Sequence, residues 1–211
     1  MLSQSAVAPR LYLLATDVEG DTLQALFQTL PPARAALATR LSGTRNFAAS
    51  VLGFCLVRYA LYAETGRVLN ADWQIAAGGK PYLDGAPFFN LSHTSHAVAV
   101  AVFDSEVGVD IEELKPHHQG IAARICTEAE LVLLNRAVDQ VAALCRLFSA
   151  KEAEGKRLGT GLAAPRTLSV DRVRSTTLTV GGVPHVLSLS PASDVPCPQW
   201  VTPERLFLQE R

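Results

Sequence analysis

Apolar positions change rhythm repeatedly along the chain. Residues 11–15 (LYLLA) form a short continuous apolar run, the pattern of a buried strand. Residues 22–30 and 34–43 follow as two short helices, separated by Pro31-Pro32. Across residues 45–65, Phe47, Val51, Phe54, Leu56 and Leu61 keep helical spacing, and Gly66 supplies a stop. The texture then changes. Residues 73–76, 88–92, 97–103 and 107–112 are short, apolar and punctuated by Gly, Pro, Asn and Asp, which predicts strands joined by tight turns. Val98, Val100 and Val102 alternate with alanines, as in a strand buried on both faces. Residues 121–158 read as helices, with Thr127 and Glu130 spaced as a capping box and Gly159 placed as a C-terminal stop. Strands return over residues 167–190 (TLSVDRV, TTLTV, HVLSLS), with Gly181-Gly182 as a hairpin turn. A proline-rich tail leads to a last apolar stretch at residues 206–208. Trp73 and Trp200 are expected in the core.

Helices and strands, followed by helices and strands again, predict an α+β protein of two similar-sized halves. The boundary falls at residues 112–118, giving halves of 1–112 and 113–211.

Composition narrows the class. Of the 211 residues, 48% are hydrophobic and 18% charged, which is enough to build a core and argues against disorder. Nineteen basic and 20 acidic residues leave a net charge of −1, so a nucleic-acid partner is not expected. No continuous apolar run reaches the ~18 residues of a membrane span. The start, MLSQSAVAPR, lacks the basic segment and long apolar core of a secretion signal. Cys55, Cys126, Cys145 and Cys197 are scattered, the pattern of reduced thiols, and a cytoplasmic chain with no membrane partner is expected. Only four basic residues are lysines, and Lys80, Lys151 and Lys156 fall inside the motifs below.

Three motifs can carry chemistry. In Gly108-Val109-Asp110-Ile111-Glu112, strand alternation points Val109 and Ile111 one way and both carboxylates the other. Paired carboxylates suit Mg²⁺ or Mn²⁺, or they are two ordinary acids at a strand end. In Phe148-Ser149-Ala150-Lys151-Glu152-Ala153-Glu154-Gly155-Lys156, Glu152 and Lys156 share a helix face. They either hold a metal and a phosphate or form a surface ion pair. Gly155 weakens that helix or admits a ligand. The third motif couples Gly78-Gly79-Lys80-Pro81 with Asn90-Leu91-Ser92-His93. It is not a P-loop, because Gln74 and Pro81 stand where Gly and Ser/Thr are needed. Ser92 and His93 lie on opposite strand faces and do not make a nucleophile-base pair. His93-Thr94-Ser95-His96 offers two imidazoles but no third ligand at suitable spacing, so zinc is not expected there. His117-His118 reads as solvated loop.

Taken together, G-K-P (79–81), N-L-S-H (90–93), V-G-V-D-I-E (107–112) and F-S-A-K-E-A-E-G-K (148–156) resemble the 4′-phosphopantetheinyl transferase superfamily, in its larger, surfactin-synthetase-activating type. The half-length trimeric type fits less well. The resemblance implies transfer of phosphopantetheine from coenzyme A to a serine of an apo carrier protein, with release of 3′,5′-adenosine bisphosphate. It also implies a monomeric pseudo-dimer of two α+β halves with the coenzyme in the cleft between them. Asp110, Glu112 and Glu152 look like Mg²⁺ ligands, and Lys156 and Lys151 like pyrophosphate contacts. Gly79, Lys80, Pro81, Ser92 and His93 look like the coenzyme A shell, with Lys80 and His93 near its 3′-phosphate and Arg45 as the upstream arginine. Attack of a serine hydroxyl on phosphorus needs a metal clamp, cations and a base, and Glu152 or a water it orients would be that base. Asp110, Glu152 and Lys156 are thus the expected catalytic residues. Phe148 replaces the family's usual Trp and Thr94 a usual Ser; Glu154-Gly155 is an unusual pair at the variable positions of the K-E-A-x-x-K block. The alternatives are a non-catalytic homologue that binds coenzyme A or carrier protein, and another Mg²⁺-dependent phosphotransferase. Arg124, Arg136, Arg146 and Arg157 are candidates for a patch that attracts an acidic carrier.

Overall fold

The computed structural model describes residues 8–207 except 19, 45, 69–71 and 118–119. In chain order these residues form β1 (Arg10–Ala15), α1 (Gly20–Gln28), α2 (Pro32–Thr39), α3 (Asn46–Thr65), β2 (Gln74–Ile75), β3 (Pro81–Tyr82), β4 (Phe88–His93), β5 (Ala97–Phe103) and β6 (Gly108–Glu113). Then follow α4 (Ile121–Ile125), α5 (Glu128–Arg136), α6 (Gln140–Leu158), β7 (Arg174–Val180), β8 (Val183–Ser190) and β9 (Gln199–Trp200). The strands make one sheet ordered β4-β5-β1-β9, a second ordered β6-β8-β7, and a small β2-β3 ribbon. This is a mixed α+β fold, as the pattern predicts.

Alternation along β1 and β5 builds the layers. Tyr12, Leu14, Val98, Val100 and Val102 face the first core with α3. Leu11, Leu13, Ala97, Ala99 and Ala101 face the other way and meet Val109, Ile111, Leu187 and Leu189 of the second sheet. Small alanines on that inner face let the two sheets stack closely. Ten residues of α3 are buried on several sides. By length and composition alone α3 could cross a membrane, but 56% of its apolar window is buried inside the protein. On the far side, α6 lies across β6 and β8.

Local signals act as expected. Thr127 and Glu130 form the reciprocal capping box at the start of α5. Gly159 ends α6 in the left-handed conformation at φ 71°. Gly181 and Gly182 turn the β7–β8 hairpin at φ 56° and 79°.

Other expectations fail for identifiable reasons. Residues 167–173 are not a strand. The Asp171 amide donates to Ser169 Oγ (3.2 Å) and the Val173 amide to Val170 O (3.0 Å), so local turn bonds replace a ladder. Val170 and Val173 pack instead on Ala150 and Ala153 of α6. Trp73 packs partly buried between Phe54 and Phe89, whereas Trp200 is half exposed. The expected division at residue 112 does not follow the sheets. β6 pairs with β8 in the second sheet. The tail returns to the first: β9 runs parallel to β1, the Val201 amide donates to Leu13 O (2.8 Å), and Val201 and Leu206 join the first core.

Two glycines set how closely α6 can approach. A Cβ on Gly108 would stand 1.9 Å from Ala153 O and 2.6 Å from the Arg157 nitrogen. A Cβ on Gly155 would stand 2.2 Å from Gly161 O. Gly155 therefore serves a backbone contact, and α6 continues through it to Leu158. Gly108→Ala is expected to lower stability by about 2 kcal/mol or more, because both neighbours are backbone and cannot rotate away. Urea unfolding with an unchanged midpoint would show that α6 does not bear on β6 this closely.

Candidate active site

The site lies where the edge strands of the two sheets meet. No backbone ladder joins β4 to β6. Side chains bridge them instead: Asn90 Oδ1 accepts from the Val109 amide (2.9 Å), and Ser92 Oγ donates to Asp110 Oδ1 (2.9 Å). Val109 and Ile111 point into the intersheet core, so Asp110 and Glu112 face α6. From α6, Lys156 Nζ donates to Asp110 Oδ1 (2.6 Å) and Ser92 Oγ (2.9 Å). Asp110, Lys156 and Ser92 are thus in hydrogen-bond contact, and Glu112 and Glu152 are near enough to feel the charges of Asp110 and Lys156. Ser92 is buried while His93 is exposed, which keeps them on opposite faces.

Charge is crowded here. Burial, then the neighbouring Asp110, pushes the Glu112 carboxyl up to about 7, with Glu152 adding to the rise and Lys156 opposing it. Burial also pushes Glu152 up; the Lys156 charge counters this and Asp110 reinforces it. His93 titrates below the usual imidazole value, although its ring reaches solvent, because of the protein around it and the Lys156 charge.

These residues fit a hard divalent cation. Asp110 Oδ2 is buried without a hydrogen-bond partner, and three carboxylates share one ammonium. An oxygen-seeking ion such as Mg²⁺ would satisfy that donor set. Among the described residues, one trio of His, Cys, Asp or Glu has its ligand atoms within 4.8 Å of one another, and it is a different one: His96, Glu113 and His185.

Gly79, Lys80, Pro81, Lys156 and Gly161 line a cavity of about 270 Å³. Lys80 is tethered there, donating to Glu106 and to Arg157 O (3.0 Å). His93 lines an adjoining cavity of about 260 Å³ with Asn46, Trp73 and Arg34. Sequence reasoning missed Arg34. It pairs with Asp72 (2.6 Å) and stacks 4.2 Å over the Trp73 ring, partners remote in the chain. Arg45 lies outside the described residues, as does His118.

Lys151 does not join the site. Its side chain is fully buried, and its ammonium donates to Ile125 O (2.9 Å), Glu130 Oε2 (2.8 Å) and Pro165 O (3.0 Å). Three donors meet three acceptors, so Lys151 anchors α6 to α4, α5 and the 165–167 turn and has no proton for a phosphate. A motif position alone could not reveal this, because two of the acceptors are backbone carbonyls. Arg157 is likewise committed, in two contacts to Glu154 (2.8 and 2.6 Å). His117 is not simply solvated, since its ring packs on Phe148 at 4.8 Å between centroids.

Two outcomes are expected. Lys151→Met should cost about 3–5 kcal/mol of unfolding free energy, because it strands Glu130 and two carbonyls; a Tm close to wild type would refute the anchor. Glu112→Gln should raise the Tm of the metal-free protein at pH 8. A raised folded pKa means that the ionised carboxylate destabilises the fold, with the cost growing from pH 4.5 to about 7 and complete above it. The gain should vanish below pH 4.5, and an equal gain at all pH values would exclude charge crowding as the cause.

Comparison with known proteins agrees with the motifs. A 4′-phosphopantetheinyl transferase superfamily profile matches residues 106–194, which contain Asp110, Glu112, Glu152 and Lys156. The chain is 37% identical over 123 residues to a 4′-phosphopantetheinyl transferase, ffp, of Bacillus subtilis, covering 55% of this chain and 54% of the relative. It is 34% identical over 119 residues to psf-1 of Bacillus pumilus, covering 54% and 51%. It is 44% identical over 55 residues to a holo-[acyl-carrier-protein] synthase of Azoarcus, covering 26% and 44%. The chain spans about half the length of the first two relatives. With its acidic strand and Lys-Glu helix inside the matched stretch, which spans less than half of the chain, the protein is similar to the 4′-phosphopantetheinyl transferase superfamily and to its surfactin-synthetase-activating type.

Proposed function

We propose that this protein transfers the 4′-phosphopantetheine of coenzyme A to a serine hydroxyl of an apo carrier protein, releasing 3′,5′-adenosine bisphosphate. The observation that carries the reading is the buried Asp110, held by Lys156 and Ser92, with Glu112 and Glu152 beside it and the Lys80 cavity adjoining. The names of the Bacillus and Azoarcus relatives support the same class of reaction.

Asp110, Glu112 and Glu152 would hold Mg²⁺ or Mn²⁺. The ion supplies charge neutralisation at the pyrophosphate when bound. Lys156 lines the cavity beside Gly79 and Lys80 and stabilises charge on the non-bridging oxygens. Glu152, its pKa raised, accepts the serine proton directly or through a water it orients. Gly79, Lys80 and Pro81 shape the coenzyme cavity, and Ser92, bonded to Asp110 and Lys156, supports it from behind the lysine. His93 and Arg34 in the adjoining cavity receive the 3′-phosphate, a cationic role expected of Arg45 from the motifs. The two sheets, each covered on its outer face by helices, act as the halves of a pseudo-dimer with the coenzyme between them.

The carrier docks on α5. None of the described residues of that helix is buried, and Val132 (49%) and Leu133 (68%) are unusually exposed. Arg136 in its last turn, with Arg124 of α4 and Arg146 of α6, suits an acidic helical partner. A cytoplasmic monomer without nucleic-acid or membrane partners is the matching setting.

Intact mass of apo carrier proteins, incubated with this protein, coenzyme A and Mg²⁺, tests the reading. One phosphopantetheine should be added, the gain should be lost with EDTA, and Asp110→Ala should fall at least about a hundredfold, as for loss of a metal clamp. No gain on fatty-acid, polyketide or peptidyl carriers, with coenzyme A still bound, would overturn catalysis in favour of a binding homologue.

A further inference from the structure

His96, in the turn between β4 and β5, looks in the sequence like half of an incomplete metal motif. Folding completes it from two distant strands. His96 Nδ1 lies 3.0 Å from Glu113 Oε1, and His185 of β8 joins them, with ligand atoms of all three within 4.8 Å of one another. The two imidazoles are 6.1 Å apart between ring centroids.

The surroundings prepare these groups as ligands. Val183 O can only accept, so His185 Nδ1 carries the proton of their 2.8 Å hydrogen bond. In the neutral ring this leaves Nε2 as a lone pair, now 3.0 Å from Thr94 Oγ1. A carbonyl fixing the outer nitrogen is the usual support for a metal-bound histidine. Glu113 divides its oxygens: Lys115 donates to Oε2 (2.7 Å), while Oε1 faces His96 and accepts from Ser95 Oγ. The His96 side chain is 40% exposed, so an ion can reach it from solvent.

We propose that His96, Glu113 and His185 bind a borderline divalent transition-metal ion, Zn²⁺ foremost, tying the β4–β5 turn to the second sheet. Two imidazoles and one carboxylate suit Zn²⁺ and do not suit Mg²⁺, which favours all-oxygen sites. Successive strand residues point to opposite faces, so Glu113 serves this site while Glu112 serves the acidic one. The two sites are therefore separable by position and by metal preference.

The test uses the full chain, stripped with chelator and titrated with ZnCl₂ by calorimetry in excess Mg²⁺. One Zn²⁺ per chain should bind and raise the Tm. His96→Ala and Glu113→Gln should each weaken it about tenfold or more, while Asp110→Ala should bind as wild type. Both ligand variants alter partly exposed side chains, so folding is checked by circular dichroism. Co²⁺ in place of Zn²⁺ should give visible absorption that His96→Ala abolishes. Absence of saturable Zn²⁺ binding, binding that survives both ligand variants, or binding lost in Asp110→Ala would each overturn the assignment.

Discussion

A carboxylate with 2% exposure cannot stay ionised in an apolar layer unless a cation accompanies it, and Asp110 is that carboxylate. Its need dictates much of the architecture. Lys156 must reach it from the last turns of α6, so α6 must lie directly on β6. That requires Gly108, where any side chain would strike the helix backbone. Ser92 must reach it from β4, so the two sheets must meet edge to edge with Asn90 bridging them. Lys151 then secures the opposite side of the same helix to α4 and α5. A site with one orphaned carboxylate oxygen and too few cations is maintained because the surrounding packing leaves those groups nowhere else to go.

The central strands carry two patterns at once. In β5 the valines serve the helical core and the alanines the intersheet core. Enlarging an alanine would separate the sheets, and shrinking a valine would open a cavity under α3. The edge-to-edge site inherits its spacing from both layers.

The legible parts of the sequence were those decided locally. The LYLLA run, the valine-alanine alternation, the Thr127 capping box, and the Gly159 and Gly181-Gly182 turns depend on neighbours within a few residues, and they form where the pattern put them. Strand alternation also placed Asp110 and Glu112 on one face. What escaped depended on distant partners. Lys151 reads as one more basic residue of a phosphate motif until the carbonyls of Ile125 and Pro165 close around it. Residues 167–173 have strand composition, but Ser169 bonds the backbone first. His96 has no visible third ligand, because Glu113 and His185 arrive from other strands. The short β9 has too few residues to show any period.

The returning tail has a consequence for how the chain comes into being. β9 and Leu206 close the edge and floor of the sheet that residues 10–15 begin. However early residues 10–15 emerge during synthesis, the flank of β1 that β9 covers stays unpaired until residues 199–206 are in place. Synthesis order and topology are opposed here: β1 waits for a segment far downstream in the chain before all its neighbours are in place.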